Sequence, residues 1–121
     1  CYYLTFIDEE FARSQYEILK TKFLNIRPIT GFKEYFDRNC WLGMDIDAGP
    51  IIFNLSPTGT AFGIGSITYF KDFELRKKFL KTAELAGFTV TKKNMRYYLL
   101  ADLALVGEAI TLAMRTATNW N

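Results

Sequence analysis

Asp45 and Asp47 stand one residue apart in Asp45-Ile46-Asp47-Ala48-Gly49-Pro50, the first spacing in the chain able to do chemistry. In extended backbone, residues i and i+2 point to the same side, roughly 6–7 Å apart. Paired carboxylates near that separation perform acid/base or glycosidic chemistry. Glu34, in Gly31-Phe32-Lys33-Glu34-Tyr35, is a third acid in the same segment, and taken alone it reads as a solvated loop residue. The structural alternative for the pair is that Asp45 and Asp47 accept hydrogen bonds from the N–H groups of their own loop. It stands first, because carboxylates in Gly/Pro loops usually do this. An EF-hand fails, since Gly49 and Pro50 occupy the places of a ligand and the invariant Gly, and Ser56 replaces the closing Glu.

The remaining chemical candidates read structurally. Thr58-Gly59-Thr60-Ala61-Phe62-Gly63-Ile64-Gly65 has the glycines of a phosphate loop, but no Gly-Lys-Ser/Thr follows and the glycines lie in a helical stretch. They are read as packing glycines. Glu108 and Arg115, seven residues apart on one helical face, suit a core ion pair or a carboxylate bonded to a neighbouring helix. Lys92, Lys93 and Arg96 beside Tyr97 and Tyr98 form a charge run at a turn, which is usually solvated. Cys40, followed by Trp41, has no nearby base and reads as a small hydrophobe.

Composition narrows the field further. A chain of 121 residues suits one compact domain. Half of it is hydrophobic and 17% aromatic, which excludes disorder. Fifteen basic residues against thirteen acidic leave a net charge of +2, too balanced for a dedicated nucleic-acid binder. Histidine is absent, so a Ser-His-Asp triad, a His-bearing zinc site and a His general base are unavailable within the chain. No metal or organic cofactor is expected. Cys1 and Cys40 do not make a disulfide framework, and spacing alone does not decide whether they pair. A leading Cys1 is either the lipidated residue left by lipoprotein signal cleavage or the point where a longer chain is cut. The first alternative would place the protein at the cell envelope or outside the cell.

Four helices are expected to position these residues. Residues 8–24 open on Asp8 as N-cap, with Glu9 and Glu10 at the positive end, Lys20 and Lys22 at the negative end, and Phe11, Ile18 and Leu19 on one face. Residues 26–55 lose periodicity, punctuated by Pro28, Gly31, Gly43, Gly49 and Pro50, and read as a long loop in which Ile51-Ile52-Phe53 is a strand or a buried turn. A loop that long is commonly functional. Ser56 and Pro57 start a second helix over 56–70 that contains no charge and therefore reads as buried all round. Residues 72–86 form an amphipathic helix stopped by Gly87, residues 88–91 suit a short strand, and Lys92-Lys93-Asn94 suits a turn. The last helix, 98–116, is again nearly all apolar.

Amphipathic helices thus alternate with apolar ones, whereas each helix of a lone four-helix bundle keeps a wet face. In an (α/α) toroid the outer helices are amphipathic and the inner ones buried. The pattern predicts an all-α fold of two helical hairpins, an arc of such a toroid, with 8–24 and 72–86 outside, 56–70 and 98–116 inside.

A resemblance points the same way. Gly31-Phe32-Lys33-Glu34, Asp45-Ile46-Asp47-Ala48-Gly49-Pro50-Ile51-Ile52, Ser56-Pro57-Thr58-Gly59-Thr60-Ala61-Phe62 and Leu105-Val106-Gly107-Glu108-Ala109-Ile110, ending at Trp120, resemble the C-terminal third of a bacterial (α/α)-toroid family. That family is similar in fold to glucoamylase-like glycosidases and linalool dehydratase-isomerase, and the likeness spans about residues 26–121. It implies a loop facing the toroid mouth, with Asp45 and Asp47 lining the cavity and Glu34 nearby.

Two functions follow as expectations. The first is a segment of a toroid enzyme acting on a glycan or a small hydrophobic alcohol, with Asp45, Asp47 and Glu34 as its acids and bases. The second is a non-catalytic helical module for self-association or partner binding. In either case two apolar helices cannot both be covered by two amphipathic ones in so small a chain. A homo-oligomer, or upstream helices of the same protein, is expected to cover them.

Overall fold

The computed structural model describes residues 1–37, 40–45, 49–86, 89–93, 95–98 and 105–117. It begins with a 3₁₀ helix, Tyr2–Phe6, followed by helix α1, Glu9–Phe23. The Asp8 carboxylate caps α1 by accepting from the Phe11 N–H at 2.8 Å, which satisfies one of the free donors of the first turn.

The segment after α1 is where the all-α expectation fails. Leu24–Asn25 (β1) pairs antiparallel with Gly31–Phe32 (β2), and Leu42–Asp45 (β3) pairs antiparallel with Gly49–Ile52 (β4). Later, Thr89–Lys92 (β5) pairs with Met95–Tyr98 (β6) across Lys93, whose φ is 48°. The described residues therefore form a mixed α/β fold, not two helical hairpins or a toroid arc. The physical reason is that Gly31, Gly43, Gly49 and Pro50 lie within or at the ends of strands of two to four residues, too short to show a period. At the other end, Tyr98 belongs to β6, and among the described residues the final helix α4 covers Leu105–Arg115.

The β2 backbone is extended on both sides. The Lys33 N–H donates to the Phe23 carbonyl at 2.8 Å, and the Ser56 N–H to the Phe32 carbonyl at 2.9 Å. Ile52 and Leu55 close a tight turn through Leu55 N–H to Ile52 C=O at 3.0 Å. Both central residues, Phe53 (φ 55°) and Asn54 (φ 61°), are left-handed, as a type I′ turn requires. Asn54 is buried at the hub of this region. Its side-chain oxygen accepts from the Cys40 N–H at 3.4 Å, its amide donates to the Tyr35 carbonyl at 3.3 Å, and its own carbonyl accepts from the Glu34 N–H at 2.9 Å.

Helix α2, Pro57–Tyr69, runs through the middle. Ser56 caps it through the Gly59 N–H at 3.0 Å, with Pro57 at the first helical position. Its buried hydroxyls receive the backbone of other elements, Thr60 from the Phe32 N–H and Ser66 from the Tyr2 N–H, each at 3.0 Å. Asp72 then caps α3, Phe73–Ala86, through the Leu75 N–H at 3.3 Å. Ile64, Ile67, Phe79, Phe32 and Tyr16 form the core, with the Phe32 and Phe79 rings edge to face at 4.9 Å. Arg76 of α3 ties down the end of α4, donating to the Thr68 hydroxyl and the Arg115 carbonyl at 3.1 Å each. Unlike an inner toroid helix, α4 leaves Leu112 65% exposed.

Candidate interaction surface

The three acids singled out from sequence do not share a described site. Asp45 is the last residue of β3, opposite Gly49 at the tip of the ribbon, and Asp47 lies outside the described residues. Glu34 is held at the other end of the same ribbon, where Asn54 follows Phe53 and the Phe53 N–H donates to the Trp41 carbonyl at 2.8 Å. Four strand positions separate Trp41 from Asp45, about 13 Å along an extended chain. The Glu108 side chain also falls outside the described residues, while the Arg115 carbonyl is taken by Arg76. Cys1 and Cys40 are both free thiols, and Cys40 Sγ leans 3.6 Å from the Leu42 carbonyl. Among the described residues no three Cys, Asp or Glu side chains gather as a metal-ligand set, and no helix is long and apolar enough to cross a membrane.

One charged cluster is structural. The Tyr16 hydroxyl donates to Asp72 at 3.3 Å, and Lys20 pairs with the same Asp72 oxygen at 3.3 Å, joining α1 to the start of α3. Burial, and then the Asp72 carboxylate, raises the Tyr16 phenol well above its ordinary value. A phenol held protonated in this way fastens two helices.

What the surface offers instead is apolar. On the outward face of the β3–β4 ribbon, Leu42 is 81% exposed, Met44 78% and Ile52 47%, with Trp41 69% exposed at its base. The alternation explains it. Leu42 and Met44 are two apart and Leu42 faces Ile52 across the ladder, so all three share one side, while Ile51 on the other side is buried. A second apolar area is an open groove of about 530 Å³ between the 3₁₀ helix and α4, lined by Tyr2, Tyr3, Phe6, Ala113, Met114 and Ala117.

No family model, no curated protein and no solved structure matches this chain.

Sequence reasoning passes over the ribbon face because residues 26–55 read as a loop, in which exposure of Leu42 or Met44 has no meaning. The signal that would have found it is Leu42-Gly43-Met44, apolar residues alternating about a glycine, ahead of the Ile51-Ile52 pair.

Proposed function

We propose that this chain is a non-catalytic association module whose first partner is a second copy of itself. The observation that carries the reading is its surface: Leu42, Met44 and Trp41 of the ribbon are more than two-thirds exposed, and Tyr3, Phe6 and Ile7 more than half. Contiguous apolar surface of this kind marks a site of association. The catalytic alternative draws less support, since Glu34 and Asp45 are held at opposite ends of one ribbon.

Sedimentation equilibrium of the chain across a wide concentration range tests the reading. A mass above that of the monomer is expected. A monomer that persists at high concentration overturns it.

A further inference from the structure

We infer that the outer edge of β3, which no described strand pairs with, is the seam on which a second copy of this chain docks, strand against strand about a two-fold axis centred on Gly43. The inference rests on the association reading above and names its surface.

The ladder geometry sets which backbone groups point outward. Trp41 and Phe53 are a hydrogen-bonded pair, since the Phe53 N–H reaches the Trp41 carbonyl. In an antiparallel ladder such pairs alternate with unbonded ones. Gly43 with Ile51 and Asp45 with Gly49 are therefore bonded, while Leu42 with Ile52 and Met44 with Pro50 are not. Pro50 fits the assignment because it has no N–H to give. The N–H and C=O groups of Leu42 and Met44 consequently face away from β4. Among the described residues they meet nothing but the Cys40 thiol, a weak donor, 3.6 Å from the Leu42 carbonyl.

The two edges of the ribbon are not equivalent. On β4, Pro50 has no donor and the Ile52 carbonyl is already taken by the Leu55 N–H. On the β3 side, Cys40-Trp41-Leu42-Gly43-Met44 contains no Lys, no Pro and no charge, the devices by which proteins keep an exposed edge from pairing, and the strand's one charge, Asp45, stands at its end. An edge left open on one side only admits one strand.

A second copy fits that edge because the edge is self-complementary. A two-fold axis at Gly43 sets Leu42 of one copy opposite Met44 of the other. Both outward pairs then exchange both backbone bonds, four in all. Gly43 has no side chain to obstruct the axis. Two ribbons become one four-stranded sheet, and Leu42, Met44 and Ile52 of both copies lie on a single face. The uncharged run brings no like charges into opposition, which a copy of a charged strand would do.

The test uses the register. Leu42 and Met44 are both more than three-quarters exposed in the single chain, so charged replacements leave its own packing intact. A chain carrying L42K and M44K places lysine opposite lysine in the seam, and its dimer Kd should rise by at least roughly 100-fold. A chain carrying L42K and M44E places lysine opposite glutamate and should dimerise again. Amide exchange at Met44 should slow with rising concentration in the unmodified chain and stay fast in the L42K/M44K chain. If the L42K/M44K chain remains a dimer, the seam is wrong while the association reading stands. If the unmodified chain is a monomer, both fall. If a longer version of this protein is monomeric yet protects the Met44 amide, its own segment or a foreign strand covers the edge, and the inference is overturned.

Discussion

The ring edge of Phe32 occupies the space that a Cβ on Gly63 would need, and Phe79 closes the same space from α3. Phe32 is itself fixed, because its N–H is held by Thr60 and its ring by Phe79. Gly63→Ala should therefore cost about 1–3 kcal/mol through overpacking, measured by urea denaturation. Gly65 meets the thioether of Met114, the movable end of a flexible side chain. Gly65→Ala should cost less than Gly63→Ala. Zero cost at Gly63 would mean that this glycine is not there for close approach, and equal costs at the two sites would mean that Met114 yields no more than Phe32.

Asn54 combines a left-handed backbone with two side-chain bonds to the 35–40 segment. Asn54→Ala should lose those bonds, at about 0.5–1.5 kcal/mol each, and add about 1–2 kcal/mol for an alanine in the left-handed region. Asn54→Gly loses the bonds but keeps the backbone at ease, so it should cost less. An alanine variant no worse than the glycine variant would contradict the turn geometry.

Tyr16 predicts the alkaline behaviour. Its phenol is raised in the folded chain above the ordinary value of 10. Above that pH the unfolded chain has released the proton and the folded chain still holds it. The stability this confers is complete below pH 10 and is lost as pH rises toward the folded value. Tyr16→Phe should be less stable at neutral pH by about 0.5–1.5 kcal/mol, for the lost bond to Asp72. It should also lose stability less steeply above pH 10, as read by denaturation midpoints at stepped pH. Parallel pH profiles for the two chains would refute the coupling.

The starts of α1, α2 and α3 are legible in this sequence because they are local chemistry, whereas Tyr98, the expected start of the last helix, lies in β6. Asp8, Ser56 with Pro57, and Asp72 each carry an oxygen placed to accept the N–H three residues on, and each does so. The β3–β4 ribbon is not legible because its four-residue strands carry Gly43, Gly49 and Pro50, whereas Thr89–Lys92 falls where residues 88–91 suit a strand, with the turn following at Lys93. Phe32 is extended because Phe23, Thr60 and Ser56 bracket its backbone. The turn at Phe53-Asn54 carries no glycine to announce it. The candidate acids show the same limit. The backbone of Asp45 stands at the tip of the β3–β4 ribbon and that of Glu34 beside its base, a placement set by register, and register is not written in residue type.

The two hydroxyls of α2 also set an order of events during synthesis. With three glycines and no charge, α2 has little helical tendency of its own. Its Ser66 must grip Tyr2, made sixty-four residues earlier, and its Thr60 must grip Phe32. On the ribosome, therefore, the opening segment and β2 wait without their acceptors until α2 has cleared the exit tunnel. For that interval Tyr2 lacks the α2 surface against which it is buried in the folded chain.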